Sequence, residues 1–377
     1  MRIVVAPDKF RGSLSAPDVV AFLEAGLRSV DPGLVIDRAP VADGGEGTLD
    51  AAVGSGFTRQ VVTVTGPTGL PLQAAFAVRG EEAVIEMATA SGLAALPDGV
   101  PDALRATSRG TGELIAAALA QGCTHIILGI GGSAGTDGGA GLLSGLGARL
   151  LDEAGAVLPD GGGALARLAK VDLSGLDPRL ASARITLASD VDNPLLGATG
   201  AAAVFAPQKG AGPADVELLE SALMNYSRVL AAEIGAVALT ATEAPGSGAA
   251  GGVGYAVLAV LGGERRAGID VVLEFTGMQT RVAGATLVIT GEGCLDHQSL
   301  GGKAPVGVAQ AAARAGVPTI AVCGQSTLTP EELIDAGFDR TYALTDLEPD
   351  TDRCMSEPGP LLTRIGALIA TRLGDDR

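Results

Sequence analysis

Short β-branched runs that end on Pro, Asp or Gly, each followed by a helical stretch, recur at both ends of the chain, and this alternation admits few folds. Ile3 to Asp8 (IVVAPD) precedes a helix predicted from about Ala16 to Val30, whose Val19, Val20, Leu23 and Leu27 fall on one face at helical spacing. Val35 to Asp43 (VIDRAPVAD) reads as a second strand. Toward the C-terminus, TLVITGEG (Thr286 to Gly293), PTIAVCG (Pro318 to Gly324) and RTYALTD (Arg340 to Asp346) alternate with helices near Pro305 to Ala315, Pro330 to Ala336 and Gly359 to Leu373. A helix between two strands returns the chain in the same direction, so the pattern predicts a doubly wound parallel sheet with helices on both faces.

The middle of the chain differs. QVVTVTG, LQAAFAVRG and EAVIEMA, between Gln60 and Ala88, are separated by short Gly- or Pro-containing turns and read as antiparallel hairpins. A helix from Gly112 to Gln121, the strand HIILGIGG, a glycine-laden helix and the strand ITLASD (Ile185 to Asp190) follow. The expected fold class is therefore α/β with two α/β domains. Residues 1–66 plus 283–377 form a Rossmann-like, doubly wound domain, and 67–282 an inserted mixed α/β domain.

Charge narrows the partners. With 26 Lys plus Arg against 43 Asp plus Glu, the net charge is −17, and there is no basic run. Nucleic acid and anionic membrane both require concentrated positive charge, so neither is expected. Two histidines, His125 and His297, cannot build a multi-His metal site; His125 reads as structural, and His297 as an exposed loop residue or, with Asp296, as an acid or base. Cys123, Cys294, Cys323 and Cys354 form no CxxC pair, the usage of a reducing compartment. MRIVVAPDKF meets Pro7, Asp8 and Lys9 too soon for a signal peptide, so a cytoplasmic protein is expected. The uncharged stretch 244–263 is too glycine-rich at its start to span a membrane and reads as a loop followed by a short core helix from Tyr255 to about Leu261.

The 56 glycines among 377 residues follow no GXY period, and are expected where backbone approaches a ligand. They gather with acidic residues in loops after strands: Asp8-Lys9, Asp43 to Gly47, Gly131 to Gly139, Asp190 to Asn193, and Gly291 to Asp296. Ligands of open α/β sheets sit at the carboxyl ends of strands, where these loops lie. Gly129, Gly131 and Ala134 fit GxGxxA after a strand, but no ribose-binding carboxylate follows a second strand about 20 residues on, which disfavours a dinucleotide-dependent oxidoreductase. Backbone N–H groups of the 131–141 loop, with the Ser133 and Thr136 hydroxyls, can instead form an anion nest. The string at Gly246, Gly248 and Gly251 follows no strand and reads as a loop. A Walker A pattern is absent, so phosphoryl transfer would need another cradle, with Lys9, Arg11, Lys209 and Lys303 as cations near strand ends. Asp190, closing an apolar strand beside Asp192 and Asn193, can bind Mg²⁺ or receive a hydroxyl proton, or can simply cap the strand.

Together these strings resemble the bacterial glycerate kinase I family. The resemblance runs in order through APDKFRGSLSA, PVADGGEGT, IEMATASGL, TSRGTGELI, GIGGSAGTDGGAG, SDVDNPLLG, FAPQKGA, PGSGAAGGVGYA and VITGEGCLDHQSLGGKAPVGVA, covering nearly the whole chain. It implies ATP-dependent, Mg²⁺-requiring phosphorylation of D-glycerate, 2-phosphoglycerate being favoured over 3-phosphoglycerate, in a cleft between two α/β domains. It places Asp8, Lys9, Asp43, Gly44, Gly45, Asp190, Asn193, Lys209, Glu292, Asp296 and Lys303 at or near that cleft. Among them Asp190 is expected to be the base for the acceptor hydroxyl, and Asp43 or Asp296 to help hold Mg²⁺. Lys209 or Lys303 neutralises the moving phosphate, Asp8, Lys9, Gly44, Gly45 and Asn193 bind substrate, and Gly131, Gly132, Ser133, Gly138 and Gly139 cradle phosphate. The chain departs from the commoner family pattern at Lys9, Gly135, Thr136, Cys294 and Leu295. A non-catalytic metabolite-binding protein is the alternative, although carboxylates and lysines in several separate loops would then be unneeded.

Overall fold

The computed structural model describes residues 1–375. The chain divides into two compact units and enters each more than once. The first holds Met1–Asp43, Asp50–Gly56 and the chain from Ile269, and the second holds Gly44–Leu49 and Phe57–Gly268.

In the first unit a five-stranded sheet runs in the order Arg340–Ala343, Thr319–Ser326, Leu287–Leu295, Arg2–Pro7, Val35–Arg38, and every neighbouring pair is parallel. Successive side chains of a strand point to opposite faces. Ile320 and Val322 accordingly join a core with Ile3, Leu23 and Leu362, while Ala321 and Cys323 join Val306, Ala309 and Phe338 on the other face. Both faces are covered, so the sheet is doubly wound. The helix Ala16–Val30 starts at Ser15, whose hydroxyl accepts from the Asp18 N–H at 3.3 Å, and Pro17 occupies the first turn, where its missing N–H costs nothing. It buries Val19, Val20, Leu23 and Leu27 and packs on the helix Pro358–Asp375. The second strand ends at Arg38, short of the predicted Asp43, but the chain stays beside its neighbour, the Ala39 N–H donating to Val5 O at 2.9 Å and the Val41 N–H to Pro7 O at 3.0 Å; Pro40, between them on this edge strand, stands where an N–H would point away from the ladder.

Strand order reverses beside Arg2–Pro7: the chain first builds outward to Val35–Arg38, then restarts on the other side with Leu287–Leu295. Ligands of such sheets bind outside the carboxyl ends at this reversal. Here the pairing of these two strands ends at Pro7 and Gly291, which stand in register, and the next residues are Asp8 and Glu292.

The second unit carries a six-stranded sheet in the order Glu264–Arg266, Arg184–Ala188, His125–Gly129, Glu82–Glu86, Pro71–Arg79, Thr58–Thr65. The first four strands are parallel and the last two form antiparallel pairs. Thr58–Thr65, which a boundary at residue 66 leaves with the terminal segments, pairs along its length with Pro71–Arg79 and belongs to this unit. The turn is local, with the Gly66 N–H donating to Leu70 O at 2.7 Å, and a short turn keeps both arms of a hairpin in one sheet. Phe76, Ile85, Met87, Leu114, Leu142, Tyr226 and Tyr255 form the core. The uncharged 244–263 stretch contains the buried helix Ala249–Ala259, and among the described residues no helix is long and apolar enough to cross a membrane.

Candidate active site

The four parallel strands of the second unit end at Glu86, Gly129, Ala188 and Arg266, and the segment Gly44–Leu49 lies across these ends. A Cβ on Gly44, whose φ is +87°, would stand 3.0 Å from both Ala188 O and Gly268 Cα, and one on Gly129 would stand 2.5 Å from Gly44 O. Backbone meets backbone here, and only glycine leaves the room. Glu86, 5 % exposed, closes its strand and fixes the segment, its Oε2 accepting from the Gly47 N–H at 3.1 Å and the Leu49 N–H at 3.0 Å. Asp190 is exposed just beyond Arg184–Ala188, and its Oδ1 accepts from the Gly268 N–H at 2.8 Å. Gly44, Gly45, Gly131 and Asp190, drawn from three separate motifs, are thus gathered at one edge of the sheet. Asn193 is turned to its own loop, where its Nδ2 donates to Thr199 O at 2.8 Å.

The loop after His125–Gly129 is open only at its start. Gly131 is half-buried and Gly132 exposed, but residues 133–139 are buried. Lys209, 1 % exposed, donates from Nζ to Ser133 Oγ at 2.7 Å and to Gly135 O at 2.5 Å. Burial pulls its ammonium group down to about 7, with the Asp137 charge opposing. Asp137 accepts from the Ser108 N–H at 2.8 Å, from Ser108 Oγ, and from the N–H groups of Gly139 at 3.0 Å and Gly141 at 3.2 Å. Burial raises its carboxyl group above the usual range in spite of these donors. The Gly138 N–H donates to Gly251 O at 2.9 Å. The N–H groups of Gly138 and Gly139 are therefore used internally and the Ser133 hydroxyl is bound to Lys209, so the anion nest expected over 131–141 narrows to Gly131 and Gly132. The phosphate-neutralising place expected for Lys209 is likewise interior.

In the first unit, Asp8 is 7 % exposed at the carboxyl end of Arg2–Pro7. Burial, and then the charges of Asp43 and Glu292, push its carboxyl group up to about 8, against the Lys9 N–H, which donates to Oδ1 at 2.6 Å, and the Lys9 charge. Glu292 is raised by burial, with the Ser299 hydroxyl and then the Lys303 charge opposing and Asp296 and Asp43 adding, and its buried Oε1 has no hydrogen-bond partner. Asp296 caps the single turn His297–Leu300, its Oδ1 accepting from Gln298 N at 2.8 Å and Ser299 N at 3.1 Å. Burial acts to raise its carboxyl group, but the Ser299 N–H and the Lys303 charge outweigh it and hold the group below the usual range. Lys303 precedes the helix Ala304–Arg314 as its N-cap. Asp8, Lys9, Asp43, Glu292, Asp296 and Lys303 thus form one electrostatically linked group at the strand-order reversal.

Neither histidine joins these groups. His125 is held between Glu82 at 3.3 Å and Thr186 at 3.1 Å, and His297, exposed, pairs with Glu332 at 3.2 Å. All four cysteines are free.

The model of the glycerate kinase family matches residues 3–374. The chain belongs to the glycerate kinase family. It is 44 % identical over 347 residues to the glycerate kinase of Bacillus subtilis (strain 168), covering 91 % of this chain and 90 % of that one. It is 44 % identical over 348 residues to the glycerate 2-kinase of Escherichia coli (strain K12), again covering 91 % and 90 %. The crystal structure of a protein provisionally named glycerate kinase 2 from Salmonella typhimurium LT2 superposes with a TM-score of 0.85 at 41 % identity, covering 100 % of this chain and 99 % of that one.

Within this glycerate kinase family chain, sequence reasoning passed over Glu86 and Ser108. Glu86 carries the same signal as Asp190, a carboxylate closing an apolar strand. Ser108 carries none, because its partner Asp137 lies 29 residues away.

Proposed function

We propose that the chain transfers the γ-phosphoryl group of ATP to D-glycerate, the 2-hydroxyl being the acceptor, in the cytoplasm. The observation that carries this reading is the gathering of Gly44, Gly45, Gly131 and Asp190 at the carboxyl edge of the second sheet. Phosphoryl transfer asks for backbone donors on phosphate and a carboxylate that takes the acceptor proton. Gly131 and Gly132 supply the accessible backbone, and Asp190 the base. The name of the Escherichia coli relative, glycerate 2-kinase, supports the regiochemistry.

The first unit carries its own group of charged side chains, Asp8, Lys9, Asp43, Glu292, Asp296 and Lys303. Among the described residues no three His, Cys, Asp or Glu side chains form a metal cage. Mg²⁺ in kinases is held by one or two carboxylates with phosphate and water filling the rest, so a full protein cage is not required. The charges of Asp43 and Glu292 raise Asp8, and those of Asp296 and Asp43 raise Glu292, a repulsion that a divalent cation would relieve. Asp43 would hold Mg²⁺, with Asp296 second because its Oδ1 already caps a helix. When bound, the ion neutralises charge on the phosphates, while Lys303 offers the accessible cation that buried Lys209 does not.

The test is coupled ADP release by purified protein with D-glycerate, ATP and Mg²⁺, with the product examined by phosphorus NMR. Turnover above an ATP-only control and a 2-phosphoglycerate resonance are expected. Absence of turnover overturns the reading, and a 3-phosphoglycerate resonance overturns its regiochemistry.

A further inference from the structure

A cavity of about 600 Å³ opens in the second unit, and none of its lining residues belongs to the groups assigned above to phosphate, metal or acceptor. Its volume lies within the range of small-molecule sites. Two segments wall it, one with Leu104, Arg105 and Thr107, the other with Pro159, Asp160 and Arg167. Each wall thus carries one exposed guanidinium group, which in a chain of net charge −17 is a local reversal of sign. The neighbouring carboxylates do not cancel it. Asp160 is taken by Arg109 through a fork of 2.6 Å and 2.8 Å. Asp102 stands 3.9 Å from Arg105, whose side chain is 87 % exposed, and so open an ion pair is weak.

Both walls also back the glycine loop. On the first, Ala106 O would stand 2.7 Å from a Cβ on Gly135, Thr107 Oγ1 would overlap one on Gly141, and Ser108 is bound to Asp137. On the second, a Cβ on Gly162 would overlap Thr136 O. The Gly163 N–H ties the walls to each other, donating to Leu104 O at 3.0 Å. Close-packed backbone passes on displacement rather than absorbing it, so a shift of either wall reaches residues 135–141 and, through them, Gly131 and Gly132 at the open start of the loop.

We infer that this cavity is a regulatory site for a small phosphorylated organic acid, separate from the reaction centre, and that its occupancy slows turnover. One guanidinium group on each wall suits a ligand with two anionic groups, a phosphate and a carboxylate, since the planar fork matches both in geometry as well as charge. Leu104, Pro159 and Leu218 face its carbon chain. A ligand held at both ends ties the walls together and holds the loop behind them in one shape, whereas turnover requires that loop to take up and release phosphate. The product of the proposed reaction is itself a phosphorylated organic acid, which makes the site a means of feedback, and in this the assignment rests on the kinase reading.

The experiment is isothermal titration of the full chain with 2-phosphoglycerate, comparing the native protein with R105A/R167A and with A164W, which fills the cavity from its wall. The reaction centre also binds product, so two sites are expected in the native protein and one in either variant. Both arginines are exposed, so the double variant should melt as the native protein does and keep its kcat and both KM values within about twofold. In turnover at saturating ATP and D-glycerate, added 2-phosphoglycerate should lower the native kcat about fivefold or more and leave that of the double variant within about twofold. A single site in the native protein, or a second site that survives in R105A/R167A, overturns the assignment. So does inorganic phosphate displacing 2-phosphoglycerate from the second site at equal concentration, which would mark a simple anion site. Two-site binding lost in the variants, with no glycerate turnover by the native protein, would keep the site and overturn the kinase reading; turnover with one-site binding would do the reverse.

Discussion

Lys209 reaches Ser133 through the interior of the second unit, its Nζ donating to Ser133 Oγ at 2.7 Å and, beside it, to Gly135 O at 2.5 Å. A lysine this deep is costly to charge, since burial disfavours the ammonium form. What it gains is a brace: with Asp137 gathering the N–H groups of Ser108, Gly139 and Gly141, it sets the shape of the loop whose first two glycines reach the surface.

Lys209→Met tests this brace. The folded-state value of about 7 lies below the ordinary 10.5, so the unfolded chain binds the proton more tightly between them, and the native protein gains stability from this site as pH rises from about 7 toward 10. Methionine cannot follow. The melting temperature of the variant should therefore fall further below native at pH 9 than at pH 6, and kcat should drop with the loop. A gap that does not change with pH would show that Lys209 titrates as an ordinary lysine.

Glu86→Ala leaves the N–H groups of Gly47 and Leu49 without their acceptor. Each unsatisfied buried donor costs about 1–3 kcal/mol, so the variant should lose stability on that order in urea melts, and the loosened Gly44–Leu49 segment should cost activity more than tenfold. Glu86→Gln keeps an acceptor oxygen and should recover most of the stability. Equal losses in both variants would mean that the charge matters rather than the two hydrogen bonds.

For Asp190→Asn the amide oxygen can still accept from the Gly268 N–H, so the melting temperature should stay close to native. Loss of a general base costs on the order of 10²-fold or more in kcat. A variant with native kcat would confine Asp190 to holding Gly268.

Much of this fold was legible because its strands end on residues that cannot continue them. The helix Ala16–Val30 carries its cap, its proline and its apolar stripe in sequence, and the five-stranded sheet follows from the alternation. Hairpins were legible at Thr58–Thr65, but not the sheet they join, because pairing partners do not reveal which core lies beneath. The excursion of Gly44–Leu49 into the second unit had no local signal at all, since glycine carries no side chain whose character could announce burial. For the same reason the glycines were read as facing ligand, whereas several face backbone: a Cβ on Gly131 would stand 2.6 Å from Gly45 Cα, and one on Gly252 2.7 Å from Gly138 Cα. Charged residues misled in the opposite way. Lys209 sits in a polar-looking stretch, FAPQKG, and is buried because a distant loop offers it two acceptors.

Asp8→Asn, finally, reads the acidic group of the first unit without any assay of turnover. In metal-free buffer Asp8 stays protonated in the folded chain up to about pH 8, whereas the same group in the unfolded chain ionises near 3.8. Folding therefore takes up a proton between those values, and the stability this site contributes is lost as pH rises from about 4 through about 8. Asparagine keeps an oxygen for the Lys9 N–H and never acquires the charge. The variant should gain on the native protein between pH 5 and pH 9 by on the order of a few degrees in melting temperature. Mg²⁺ should narrow that gap at pH 9 by neutralising the native carboxylate among Asp43 and Glu292, and a gap unmoved by either pH or Mg²⁺ would show that these carboxylates do not act on Asp8.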